Sequence, residues 1–333
     1  MTDWLSLTGG VRYTQDHKSL TLEQIQPYTG AVIFPESSGS ELFTRVTPMG
    51  SVASVLPPEL LPEAFDHLLT YFTYAQGFKG GGFNALPGAQ GNADDASLAA
   101  SFGPETLDSY EFGFKTIALE NRLIFNAAFY WAVYDDIQKI AIVNTGLNEE
   151  VSVQRITENA AKATTRGFEI EVVALPLEGL QISGNIGVTD ATYDSFPGAI
   201  SDYESTPIDR TGESFNNVPR FTSFLALQYS LPIDGGAQIL QGWLTPRVEW
   251  YYQSEVHLNG PEIAASVQSG YNLFNARLSY DFWDDRAQVA LWGKNLADQE
   301  YIIFSTPTVS TFGTVVNYAG LPRTFGAELA YRF

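Results

Sequence analysis

Hydrophobic and polar side chains alternate with a period of two through most of this chain. Tyr110, Phe112 and Phe114 interleave with Ser109, Glu111, Gly113 and Lys115. The next segment sets Leu123, Phe125, Phe129, Trp131 and Val133 against Asn126, Ala128, Tyr130 and Tyr134. Phe168, Ile170 and Val172 alternate with Gly167, Glu169 and Glu171, and Leu180, Ile182, Ile186 and Val188 with Gln181, Ser183, Asn185 and Thr189. Further on, Leu244, Val248, Trp250 and Tyr252 alternate with Arg247, Glu249 and Tyr251, and Phe274, Leu278 and Tyr280 with Asn275, Arg277 and Ser279. A period of two puts every second side chain on one face of a sheet. Soluble antiparallel sheets alternate too, so no single segment decides the class.

Spacing decides more. The pattern predicts about twelve strands, near residues 3–17, 41–54, 67–80, 104–118, 121–136, 153–174, 178–194, 216–231, 238–255, 267–281, 285–300 and 322–333. Connections near Glu120, Leu177, Asp234 and Asp284 are short and rich in turn-forming residues, and 55–66, with three prolines, falls on the same side. Segments 18–40, 81–103, 137–152, 195–215, 256–266 and 301–321 are long and hydrophilic. Sorting loop length by parity is the habit of outer-membrane barrels, with the short turns periplasmic, and a soluble sandwich has no reason for it. Trp4, Tyr229, Trp243, Phe282, Trp283, Tyr331 and Phe333 gather at the short-turn ends, where a membrane interface collects amphipathic rings. The expected fold is all-β: a transmembrane antiparallel meander.

Composition narrows the partners. With 18 basic and 38 acidic residues the net charge is −20, which argues against nucleic acid. The absence of cysteine removes disulfide and thiolate chemistry. No apolar run approaches the ~18 residues of a membrane helix, and MTDWLSLTGG has neither the basic region nor the apolar core of a signal peptide. Barrel strands escape such scans because their two faces average out.

The last ten residues, TFGAELAYRF, place Phe325, Ala327, Leu329, Tyr331 and Phe333 on one face. Thr324, Gly326, Leu329 and Tyr331, closed by Phe333, resemble the signal read by the outer-membrane assembly machinery, which a final strand can engage by strand addition. Five further blocks resemble TonB-dependent receptors, in that family's order. They are YFTYAQGFKGGGFNA (Tyr71 to Ala85), ETLDSYEFGFK (Glu105 to Lys115), TTRGFEIEV (Thr164 to Val172), NVPRFTSFLALQY (Asn217 to Tyr229) and LWGKNLADQEY (Leu291 to Tyr301). Such receptors are plugged barrels of about 22 strands. The resemblance covers the C-terminal part of that barrel over residues 1–333, with no plug domain, TonB box or signal peptide in view. It implies an incomplete, open barrel.

In this register Arg12, Lys115, Arg220, Arg247 and Arg277 point to the polar side, with Glu111, Glu169, Glu171 and Glu249. The resemblance implies that they face a plug; generic lumen polarity serves equally. Phe83 and Asn84 are the ligand-loop candidates. GFKGGGFN matches no phosphate loop, and glycine there suits a chain leaving a strand. His17, His67 and His257 lack metal spacing. Asp94–Asp95 and Glu149–Glu150 read as solvated loop faces rather than cation sites. No cofactor is implied, and no nucleophile–base set supports an enzyme.

The leading expectation is part of an outer-membrane receptor taking up an iron chelate, siderophore-like, or a similar nutrient, inactive without its plug. Its partners would be membrane lipid and lipopolysaccharide, the assembly machinery, a small-molecule ligand, and TonB only through the plug. The alternative is a small closed barrel acting as a passive porin, since even strand numbers from about eight upward close.

Overall fold

The computed structural model describes residues 4–84, 101–144, 153–200, 207–284, 286–308 and 312–333. Twelve long strands lie side by side in chain order: β1 (Leu5–Ile25), β2 (Val32–Val55), β3 (Phe65–Lys79), β4 (Glu105–Ala118), β5 (Leu123–Asn144), β6 (Val153–Leu177), β7 (Leu180–Ser195), β8 (Phe221–Tyr229), β9 (Gly242–Gln253), β10 (Tyr271–Phe282), β11 (Ala287–Lys294) and β12 (Thr324–Tyr331). Each pairs antiparallel with its sequence neighbours, and Leu231–Ile233 adds to the foot of β9. β1 and β12 stand at opposite ends of this order, so the sheet is open.

The short connections are tight turns whose backbones run left-handed. Leu119, Glu120 and Asn121 all have φ near +60°, as do Trp283 and Asp284; positive φ lets a tight turn follow the right-handed strand twist. Glu178 and Gly179 alone link β6 to β7, with Gly179 at φ +81°.

Several predicted bounds are corrected. Residues 18–40 are mostly strand, because β1 and β2 run on to a turn over 26–31; Leu20 and Leu22 keep an alternation among the polar residues that suggested a loop, and Ile25 follows the register shift beyond Leu22. β5 reaches Asn144, so 137–144, expected as loop, is strand. Residues 238–240 form one 3-10 turn instead of the start of β9. Residues 295–300 leave the ladder, with Asn295 and Asp298 at positive φ. Within the other long loops, short ribbons pair 199–200 with 207–208, 256–257 with 267–268, and 302–308 with 314–319.

Register sorts the faces. Phe72, Phe112, Phe129, Phe168, Val188 and Phe221 form one row across six strands. Below it, Phe125, Val172, Gly184, Leu225, Trp250 and Phe274 form another. Leu329 joins the same face through Val289, Tyr280 and Leu244. Phe112 and Phe129 are each 50 % exposed, so this apolar face is a surface and not the core between two sheets. At the short-turn end Phe282, Tyr331 and Phe333 stay on it, with Trp283 and Phe333 packed against Tyr331 at 5.5 and 5.0 Å between centroids. Trp243 departs from the expected belt: it pairs with Asp281 and shares the parity of Arg247, on the opposite face. A second aromatic row, Tyr74, Tyr110 and Trp131, closes the apolar band at the long-loop end. The next position along it is the Arg166–Asp190 ion pair, 2.9 Å long.

On the polar face, rings lie over cross-strand glycines. Tyr71 covers Gly113, Tyr130 covers Gly167 and Trp292 covers Gly326. A side chain at Gly167 would meet both the Tyr130 ring and the Val188 carbonyl. Gly167→Val should therefore displace Tyr130 from Thr189, whose hydroxyls are 2.7 Å apart, and cost about 1–3 kcal/mol of overpacking. A lowered urea midpoint in detergent, compared with a Gly9→Val control on the open apolar face, checks it.

Candidate functional site

The polar face carries two side-chain networks. In the first, Tyr71 donates to Glu111 at 2.6 Å and Asn126 to Glu171 at 3.1 Å. With Lys115 and Glu169 these residues line an open hollow of about 520 Å³. Lys115 is exposed and has no carboxylate partner among the described residues. In the second, Arg247 Nε donates to Glu249 at 2.7 Å and its Nη1 to Gln228 at 3.3 Å. Arg277 reaches Glu328 at 2.9 Å and Gln288 at 3.3 Å. Arg12 is exposed on the same face, and Arg220 is exposed just before β8, where its carbonyl accepts the Thr189 amide. The predicted polar-side residues thus share one face; the register joins most of them in two groups and leaves Arg12 and Arg220 apart.

Above the sheet, the long connections are fastened by amide side chains. An amide carries a donor and an acceptor, so it can replace a strand neighbour for an unpaired backbone. Asn84 does this: its Nδ2 donates to the Thr157 carbonyl at 2.8 Å while its Oδ1 accepts the Thr157 amide at 2.6 Å, across 73 residues of sequence. Asn84 is buried, and the half-buried Phe83 ring packs over Gly39. Asn159 grips Gly103 in the same two-way manner. On the other side, Asn217 donates to Leu258, Asn259 to Ser305 and Asn317 to Ala265, while Gln268 accepts the Ile302 amide. These bonds tie the 196–220, 254–270 and 295–323 connections together.

Arg210 sits at the centre of that raft with its side chain 8 % exposed, 2.9 Å from Glu213 and 2.8 Å from Glu262. Burial opposes its charge, and the two carboxylates outweigh burial, so its pKa is raised. The neighbouring Asp209 is held below the usual carboxylate range by hydrogen bonds from the Thr211 hydroxyl and amide. A depressed carboxylate stabilises above its unfolded pKa, so this turn should keep Asp209's contribution at neutral pH and lose it only as pH falls below the ordinary aspartate range. Arg210→Met should raise hydrogen exchange at the Asn217 amide, which crosses to His257 in the next connection, by the equivalent of about 1.5–3 kcal/mol. The amides of β3 and β4 should not change.

The terminal motif is placed on β11: Thr324 pairs with Lys294, Gly326 with Trp292, Leu329 with Val289 and Tyr331 with Ala287. Among the described residues, the far edge of β12 meets no strand. His17 donates to or accepts from Ser40 at 2.7 Å, and His67 and His257 lie elsewhere. Among the described residues no three acidic or histidine side chains gather as a metal site. Asp94–Asp95 and Glu149–Glu150 lie outside the described residues. Sequence reasoning missed the fastening amides and the long-loop aromatic row. The second had a signal, since Tyr110 and Trp131 stand eight residues from the strand ends at Ala118 and Leu123, about 26 Å of strand at ~3.3 Å per residue, which at a barrel's tilt covers most of the height of its apolar band.

A sheet apolar on one face, polar and networked on the other, with short turns at one end and fastened loops at the other, is a section of membrane β-barrel wall. No helix among the described residues is long and apolar enough to cross a membrane. The chain belongs to the TonB dependent receptor-like, beta-barrel family, whose model matches residues 1–296. Solved structures agree in fold. The ferric yersiniabactin uptake receptor FyuA from Yersinia pestis is 20 % identical, with TM-score 0.73 over 100 % of this chain and 44 % of that one. The siderophore receptor PiuA from Acinetobacter baumannii is 17 % identical, with TM-score 0.68 over 99 % and 41 %. The ferric-catecholate import receptor Fiu from E. coli K12 is 18 % identical, with TM-score 0.65 over 98 % and 42 %. The chain therefore spans less than half the length of these receptors.

Proposed function

We propose that this chain is the C-terminal wall, over residues 1–333, of an outer-membrane receptor that takes up an iron chelate, siderophore-like, or a similar nutrient. The observation that carries the reading is the two-faced wall of a TonB-dependent receptor barrel, with its polar networks below a raft of tied loops. In this reading the apolar face meets lipid and lipopolysaccharide. The polar face looks into the lumen, where Glu111, Lys115, Arg220, Arg247, Glu249 and Arg277 offer donors and acceptors to a plug. The connections carrying Phe83 and Asn84 take part in ligand capture, Asn84 by holding its loop to β6. Thr324, Gly326, Leu329, Tyr331 and Phe333 present β12 to the assembly machinery by strand addition. TonB acts through a plug, so the chain alone does not transport, and no group on it is asked to do chemistry.

The test is uptake of a ⁵⁵Fe-labelled chelate by cells expressing the chain, alone or joined to a plug and the remaining wall. Accumulation should occur only in the joined form and vanish without TonB. Uptake by the chain alone, independent of TonB, would replace this reading with the passive porin.

A further inference from the structure

We propose that residues 12–47, the upper ribbon of β1 and β2, form a hinged arm that is latched over a lateral slit in the wall by the glycine strap 80–82. The inference goes beyond the receptor reading and does not rest on it.

The slit begins where a ladder stops. β2 and β3 pair from Val55 with Leu69 up to Met49 with Ala75. Above that rung both strands run on, β2 paired with β1 alone and β3 with β4 alone among the described residues. The fork holds a cavity of about 610 Å³, lined by Arg12 and Thr14 of β1, Thr47 and Pro48 of β2, and Gln76 and Phe78 of β3. It opens just above Tyr74, a member of the long-loop aromatic row.

The residues at the fork account for the break. The Leu56 amide donates to the Leu68 carbonyl, and alternate residues of an antiparallel strand turn their backbone groups to the same neighbour. Ser54, Val52 and Gly50 therefore face β3, and so does Pro48, which the same register sets opposite Gln76. Proline has no N–H to donate, so the rung that would carry the ladder upward is missing. Three positions on, that register would put Arg45 against Lys79, and like charges directly opposite destabilise a pair. Lys79 turns instead to Glu105 on β4, 3.8 Å away.

Higher up, the two sides meet again through the strap that follows β3. The Lys18 ammonium donates to the Gly81 carbonyl at 2.6 Å. Phe43 is buried against Gly81, and the Phe83 ring covers Gly39. A side chain at Gly81 would collide with the Phe43 ring and the Phe102 carbonyl, so glycine is what lets strap and arm close. The strap is tied to the wall in turn: Gln138 donates to the Gly80 carbonyl at 3.0 Å, and Asn84 grips Thr157. A backbone rung at one end and a side-chain catch at the other give the arm one pivot and one point of release.

Hydrogen exchange read by NMR on the full chain in micelles tests the pivot. Gln76 and Phe78 turn their amides into the slit and should exchange about a hundredfold faster than Gly77 and Lys79, whose amides turn to β4. Pro48→Thr with Arg45→Glu supplies the missing donor and sets a carboxylate opposite Lys79. The slit should then zip, and exchange at Gln76 and Phe78 should slow about tenfold or more. Slow exchange at those amides in the unaltered chain, or no slowing in the double variant, overturns the proposal. Spin labels on Thr21→Cys and Leu227→Cys, both exposed positions, test the catch. Double electron–electron resonance should give one narrow distance, which Gly81→Val broadens and shifts and which the zipped variant carrying Gly81→Val recovers. An unchanged distance in Gly81→Val, or no recovery on zipping, overturns the arm. Should Gly81→Val lose its sheet signal in circular dichroism, Lys18→Met decides, since it removes the bond to the Gly81 carbonyl. The same broadening supports the latch, and an unchanged distance overturns it.

Discussion

Phe114→Arg should weaken transfer of the sheet into a lipid or detergent interior by about 2–4 kcal/mol, whereas Trp131→Arg should cost only about 0–1 kcal/mol. The two residues share the apolar face at different heights. Phe114 pairs with Ala127, midway between Leu123 at the strand end and Trp131 in the long-loop aromatic row. It also stacks on Phe125, with ring centroids 5.5 Å apart and planes 17° apart. An arginine at Phe114 would lose that stack and bring a cation to the middle of the apolar band. At Trp131 the guanidinium would already lie at the level of Arg166 and could reach water. Urea titrations of the two variants in micelles and in vesicles measure the difference. A cost that does not depend on height would mean that this face never meets lipid, and the membrane reading would fall with it.

The second large effect is the absence of one. The chain by itself should give no steady single-channel conductance in a planar bilayer. Among the described residues, the sheet order runs from β1 to β12 without a ladder between them. At both edges the apolar residues are more open than inside the sheet: Leu7 and Val11 are 74 % and 75 % exposed, Phe325 and Leu329 69 % and 79 %, against 50 % for Phe112. The edge backbones carry N–H and C=O groups that lipid cannot satisfy, at several kcal/mol for each one left unpaired. Closing twelve strands would satisfy them but demands a tighter radius, because barrel diameter grows with strand number. The sheet superposes on receptors more than twice as long, with TM-scores of 0.73 and 0.68. Cysteines at Leu7 and Leu329, both on the apolar face, report closure directly. Efficient cross-linking within one chain, together with steady conductance, would establish the passive porin instead.

Most of the wall was legible in the sequence because alternation acts locally. Glu111 and Phe112 take opposite faces whatever their neighbours do, so the two sides of β4, β5 and β9 could be assigned without knowing what pairs with what. Strand ends at tight turns were legible for a similar reason: a two-residue link such as Glu178–Gly179 is written in the chemistry of those two residues. The strand ends at the long loops were not. Beyond Lys18 and Ile137 the strands continue without a strict apolar and polar face, as in the mixed run Ser19 to Ile25 and the apolar run Ile140 to Val143, since above the membrane neither face needs to be apolar, and alternation stops marking a strand where lipid stops.

The candidate site divides along the same line. That Lys115, Glu111, Glu169 and Glu171 share the polar face follows from their parity. That they share one hollow depends on the register of β4 with β5 and of β5 with β6, and a slip by two residues would keep every face and scatter the group. Asn84 in its polar loop carries no local sign that its amide will serve Thr157 on another strand. Lys139 reads as an ordinary solvated lysine until Phe215 comes to lie beside Tyr193 and both rings meet its ammonium. The sequence by itself determined the all-β class, the strand number, the two faces and the family, because each is written in nearest-neighbour periodicity or in contiguous motifs. Only the tertiary structure decided the open edges, the tied loops, the place of Trp243 and the half-buried lysine, because these depend on which distant backbones meet and on what a side chain finds there.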